Sequence, residues 1–170
     1  MVLKAVNYSI EPMTILNNLI KSLLGGILLS ASLMACIPEN RKRSGTSPVG
    51  TWRLITGTLI ENNDTTVTDY TQNVSFIKII NDTHFAFLQH DLNKGKDSAA
   101  IFTAGGGRYT FIDSVYSEQL EYCSDRAWEG HSFVFSIDLK NDTLIQRGVE
   151  KVESEGVNRI NIEKYVRVQN

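Results

Sequence analysis

From Val49 to Asn170 the chain contains no proline, because its three prolines are Pro12, Pro38 and Pro48. Proline lacks the N–H that an internal ladder requires, so a long proline-free stretch is open to strands that a proline would exclude. Every aromatic residue except Tyr8 lies in the same stretch, and aromatic side chains favour pleated, half-buried surfaces. The clearest pattern runs from Ser132 to Leu139, where Phe133, Phe135, Ile137 and Leu139 alternate with Ser132, Val134, Ser136 and Asp138. That period places one set against a core and the other toward water. The 122 residues from Val49 onward suffice for one such core. The expectation is an all-β domain over 49–170.

Alternation of this kind predicts eight strands, over roughly 50–60, 71–80, 83–89, 99–112, 115–122, 131–139, 143–149 and 157–168. Asn81-Asp82, Asp113-Ser114 and Asn141-Asp142 suit tight hairpins, since Asn and Asp tolerate left-handed backbone angles. Glu61 to Tyr70, His90 to Ser98, Cys123 to Gly130 and Glu150 to Gly156 read as longer links. A short helix, if present, is expected in Glu61 to Tyr70 or Ser124 to Glu129. Tight and long links thus alternate. In an eight-stranded up-and-down antiparallel barrel, alternate links fall at opposite ends, which makes a cup with one laced end and one looped end.

The preceding residues read as an address. Leu23, Leu24, Ile27, Leu28, Leu29 and Leu33 form an apolar run after Lys21, and the run ends in Leu33-Met34-Ala35-Cys36. It is short of the roughly 20 apolar residues of a membrane span and has the order of a secretory signal. Met13 opens a signal of more usual proportions than Met1 does. The ending resembles the bacterial lipoprotein signal, which implies cleavage before Cys36 and acylation of its thiol with fatty acids such as palmitate. Residues 1–35 are then a signal peptide, 36–48 an acylated cysteine and polar tether, and 49–170 the barrel domain. Several acyl chains, each buried CH₂ worth about 0.8 kcal/mol, would anchor the protein stably. Cleavage removes Lys4, Lys21 and Glu11 and moves the net charge from −2 to −3, without the basic face that a nucleic-acid partner demands. Cys123 is then the one remaining thiol, so no intramolecular disulfide is expected.

The first strand opens with Gly50-Thr51-Trp52. Gly-x-Trp at the start of an eight-stranded barrel resembles the lipocalins and their calycin relatives. The resemblance implies that Trp52 plugs the closed end and that a basic residue from the last strand, here Arg167, packs across it. Gly50, Trp52 and Arg167 are accordingly the expected barrel base. Ile79-Ile80-Asn81-Asp82-Thr83-His84-Phe85, Thr103-Ala104-Gly105-Gly106-Gly107-Arg108-Tyr109 and Glu118-Gln119-Leu120-Glu121-Tyr122-Cys123 make the chain similar to small lipocalin-like lipoproteins of gut-type Gram-negative bacteria. That likeness implies a cell-envelope location, on the outer membrane and either periplasm-facing or surface-exposed. It supplies no activity.

Candidate ligand contacts follow from face and position. Tyr116, Glu118, Leu120 and Tyr122 alternate with Ser117, Gln119, Glu121 and Cys123, a mixed face suited to fixing a polar group. The last strand carries Arg159, Asn161, Glu163, Tyr165 and Arg167 on one face; taken alone, that polar face suits the solvated outside, with Tyr165 the residue retained as a ligand contact. Trp128 belongs to a long loop at the expected mouth, as a lid, a contact surface or a pin for its own loop. Gly105-Gly106-Gly107 lacks the Lys-Ser/Thr of a phosphate loop and reads as a bulge or bend. His84 and His90 are six residues apart, about 20 Å along an extended strand, and His131 stands alone, so no metal site is expected.

No nucleophile elbow, HExxH or paired-cysteine motif occurs. The expectation is a monomeric, non-enzymatic protein without a cofactor. Two function classes stay open: a membrane-anchored binder of a small hydrophobic or amphipathic ligand, and an interaction or inhibitor module that meets a protein partner through its loops. In the second, Phe76, Phe85, Phe87, Phe133 and Phe135 would fill the barrel.

Overall fold

A computed structural model describes residues 47–169. The signal, Cys36 and most of the tether lie outside the described residues. Nine antiparallel strands follow one another: β1 (Gly50–Glu61), β2 (Asp64–Asp69), β3 (Val74–Ile80), β4 (His84–Asp91), β5 (Phe102–Ile112), β6 (Val115–Cys123), β7 (Ser132–Lys140), β8 (Thr143–Val152) and β9 (Val157–Arg167). Each of β3 to β8 pairs with its successor, and β1 pairs with both β3 and β9. Eight strands therefore close into an up-and-down barrel, which leaves no long free edge.

The ninth strand corrects the reading of Glu61 to Tyr70 as a link or helix. Asn62 and Asn63 both adopt positive φ, 50° and 67°, and turn β1 tightly into β2. The run Thr65-Thr66-Val67-Thr68 then has the β-branched chemistry of a strand. All six residues of β2 are exposed, so no alternation announces it. One edge of β1 is shared: residues 50–53 pair with β3 and residues 56–61 with β2. The changeover falls at a β-bulge between Leu54 and Thr56, where the Tyr70 N–H donates to Ile55 O at 2.9 Å.

The laced end is apolar. Trp52, Leu54, Ile80, Phe85, Ile137 and Leu144 are buried there, and burial of each such side chain is worth about 1.5–3 kcal/mol. The turn at Asp113-Ser114 has both residues at positive φ, 48° and 69°, and Asn141 takes 53° in its own turn. Asn81 closes the third by accepting the N–H groups of Thr83 and His84 at 2.9 and 2.7 Å. At the looped end, Asp91 organises residues 92–101 by accepting from Gly95 N–H at 2.9 Å and Ile101 N–H at 3.2 Å. The expected helical turn in Ser124 to Glu129 is a single 3-10 turn over Arg126–Trp128.

The glycine run is a bend in the wall. Pairing of β5 with β6 slips between Gly106 and Gly107: Gly106 faces Tyr122 while Gly107 faces Leu120, and Glu121 is the extra residue. A Cβ on Gly107 would collide with the carbonyl oxygen of Gln119, so the strands approach this closely only at glycine. The extra residue also reverses the alternation beyond it.

Candidate functional site

Above the apolar floor the inward face of the barrel turns polar. Lys78 on β3, only 3% exposed, donates to Gln146 Oε1 on β8 at 2.8 Å and pairs with the Glu118 carboxylate on β6. Its ammonium also lies 5.3, 5.1 and 5.9 Å from the ring centres of Phe85, Tyr116 and Tyr165, within the range where a ring face attracts a cation. On the mouth side, Glu150 on β8 holds two groups of β9: Arg159 Nε at 2.8 Å and Asn161 Nδ2 at 2.7 Å. Between these layers the Tyr165 hydroxyl donates to Glu163 Oε2 at 2.8 Å. Such pairing is what buried charge requires.

These groups surround a cavity of about 340 Å³, open toward the loops and also lined by Phe76, Phe87, Leu120, Phe133 and Trp128. The volume falls at the small end of the 300–1,000 Å³ usual for small-molecule sites. Phe85 packs in the lower barrel, with 3% exposed. Phe76, Phe87, Phe133 and Phe135 instead wall the cavity. Four of the five phenylalanines therefore line the open space rather than fill the barrel.

The sequence-expected residues separate into three groups. Glu118, Tyr165 and Trp128 line the cavity. Tyr116 is fully buried beneath it, packed on Tyr109 at 5.1 Å between ring centres. Its hydroxyl lies near Glu118, yet no well-formed hydrogen bond satisfies it. Tyr122 does not share their face. The bulge at Glu121 turns its ring outward, where it is 68% exposed, and brings Cys123 to the cavity in its place.

The base brings Gly50, Trp52 and Arg167 together. Arg167 Cζ lies 4.0 Å from the Trp52 ring centre, and its Nη1 donates to Val49 O at 3.0 Å. Trp52 Nε1 donates to Pro48 O at 2.7 Å. Gly50 has φ 154°, and a Cβ there would strike the Arg167 guanidinium.

The polar face of β9 is corrected outright: it points inward. Asn161 and Tyr165 are buried, and Arg159 and Glu163 line the cavity. Register sets this, since Tyr165 pairs beside Leu54 on β1 and Leu144 on β8, both core residues. Lys78, Gln146, Glu150 and Asn161 are not recognisable as site residues from sequence, because their partners lie on other strands; Glu163 is not, because the polar face of β9 reads as a solvated one. Lys78 alone carries a signal, as the one charge inside the apolar run of β3.

Trp128 is held from both sides. Phe133 lies 5.8 Å away between ring centres, and Arg159 Cζ lies 5.4 Å from the indole centre. Asp125 caps its 3-10 turn by accepting from Ala127 N–H at 3.3 Å. Glu129 ties the loop back by accepting Cys123 N–H at 2.9 Å. Among the described residues no group of three or more His, Cys, Asp or Glu is arranged to hold a metal ion.

Burial pushes the Glu163 carboxyl above its usual value of 4.5, Lys78 and the Tyr165 hydrogen bond pull it back, and Glu150 and Glu118 push it further up. The folded protein therefore holds this proton more firmly than the unfolded chain. Stability falls as pH rises from 4.5 through the raised folded value, by about 1.4 kcal/mol for each pH unit that separates the two. Glu163→Gln keeps an acceptor for Tyr165 and removes the charge. It is expected to stabilise the unliganded protein at neutral pH by on the order of 1 kcal/mol, with the gain vanishing below the unfolded carboxylate value. Urea unfolding of both proteins across that range measures it.

Fold and site together define a closed antiparallel β-barrel, sealed at one end, with a charged and aromatic cavity opening at the other. No family model and no curated protein matches the chain. Among solved structures it is similar to an uncharacterized protein from Bacteroides eggerthii DSM 20697, at 11% identity and a TM-score of 0.41, over 71% of this chain and 98% of that one.

Proposed function

We propose that the protein is a lipid-anchored, lipocalin-like, non-enzymatic binder of a small, partly apolar ligand. The cavity of about 340 Å³ carries this reading, because its wall combines aromatic surface with a few oriented polar groups. The anchor in this reading is Cys36, which lies outside the described residues. The described chain enters at Pro48 and Gly50 beside the Trp52 plug, so the sealed end would face the membrane and the mouth would face the surrounding solution of the cell envelope. A second reading, a module acting on a protein through its loops, draws on Leu92 and Phe102, which are 55% and 70% exposed beside the loop of residues 92–101.

Native mass spectrometry of the purified full-length chain separates the two. The expected result is an added mass that leaves on unfolding, whereas covalent acyl chains remain. Leu120→Trp, which fills the cavity from its wall, is expected to lower the retained fraction severalfold. A bare mass, repeated after incubation with lipids and bile-type amphiphiles, would favour the loop-mediated module instead.

A further inference from the structure

The ligand-binding reading is taken one step further by the distribution of charge inside the cup. Both interior cations are already engaged: Lys78 by Glu118 and Gln146, and Arg159 by Glu150. Glu163 is different. It accepts from Tyr165 and has no ion-pair partner among the described residues. Lys78 and Glu118 face this carboxylate from β3 and β6, Glu150 from β8, and Tyr165 from its own strand. Tyr70 senses its charge as well, since the ring sits against Gly57, directly opposite Glu163 in the β1–β9 ladder.

Each ligand charge meets a different outcome there. An incoming carboxylate would add negative charge to a wall where Glu118, Glu150 and Glu163 already outnumber Lys78 and Arg159. A neutral ligand would strip water from Glu163 and return no charge. A cation supplies the missing partner.

Aromatic surface lies alongside. Tyr70 meets Phe76 edge-on at 5.6 Å between ring centres, and Phe76 lies 6.0 Å from Phe87. Ring faces next to a carboxylate are the surroundings that stabilise a desolvated ammonium. We infer that the cavity takes an organic monocation, an amine on a compact aromatic or aliphatic body, with its ammonium at Glu163 and its body against Tyr70, Phe76 and Phe87. This rests on the small-ligand reading above. The cavity volume suits one or two rings rather than a long acyl chain.

Calorimetric titration of the full-length protein near neutral pH with tryptamine, 3-ethylindole and indole-3-acetate tests it, because the three share a body and differ in charge. Tryptamine is expected to bind at least about tenfold more tightly than either of the others. Glu163→Gln, which should fold at least as well as the parent, should abolish that preference, and Glu163→Asp should retain it. Because an ammonium favours the ionised carboxylate, binding should also release protons, seen as a dependence of the heat on buffer ionisation enthalpy. Equal or tighter binding of the neutral or anionic probe, or a preference that survives Glu163→Gln, would overturn the inference while leaving the binder reading in place. If none of the three binds, the compound retained in native mass spectrometry decides: an amine supports the inference, and an acid or neutral molecule overturns it. Failure of all probes together with a bare native mass overturns both readings.

Discussion

Replacing Lys78 with methionine is expected to destabilise the protein by about 3–5 kcal/mol, the usual cost of removing one member of a buried ion pair. Methionine keeps most of the volume, so the loss isolates the charge. The Glu118 carboxylate, on a residue only 8% exposed, would be left without its cation, and Gln146 Oε1 would lose its donor. Adding Glu118→Leu should recover most of the loss, because a buried pair replaced whole by apolar groups is often neutral. Urea unfolding of the two single variants and the double variant gives the coupling directly. A loss below about 1 kcal/mol for Lys78→Met would mean that water, rather than Lys78, compensates Glu118.

The second large effect belongs to the base. Trp52→Ala is expected to cost about 3–5 kcal/mol, a range typical of emptying a buried aromatic site and a large fraction of the stability of a domain this size. Trp52 is fully buried, and its loss also orphans Pro48 O and removes the ring beneath Arg167. Trp52→Phe should recover part of the packing while still leaving Pro48 O unpaired, for a residual cost of about 1–3 kcal/mol. Because Trp128 is the other tryptophan, its fluorescence reports the mouth in these variants. The expected pattern is an unchanged Trp128 signal at low urea and an earlier, still cooperative, unfolding transition. A transition within about 1 kcal/mol of the parent would show that the neighbouring side chains collapse into the vacated space.

Much of the fold is legible in the residue order because strand signals are local. The alternation of Phe133, Phe135 and Ile137 appears in the structure as buried residues with exposed neighbours. The Asx-rich turns close the laced end, and Gly105-Gly106-Gly107 marks a bend. The strand β2 escapes because a fully exposed strand has no apolar period to display. Its Asn62-Asn63 turn carries the same left-handed signal as the turns that are recognisable.

The site is less legible, and the reason is geometric. Counting in twos assigns Tyr122 to the inner face, and one extra residue at Glu121 reverses that count. The polar face of β9 resembles a solvated surface until its partners are in place. Arg159 meets Glu150, nine residues away, but Lys78 meets Gln146 across 68 residues. Residue order by itself determined the all-β class, the strand alternation and the closing turns, since each depends on neighbours within a few positions. Only the closed barrel decided which face of β9 is interior, which carboxylate lacks a cation and how much space remains above the floor. Those properties depend on register and on charges brought together from distant strands.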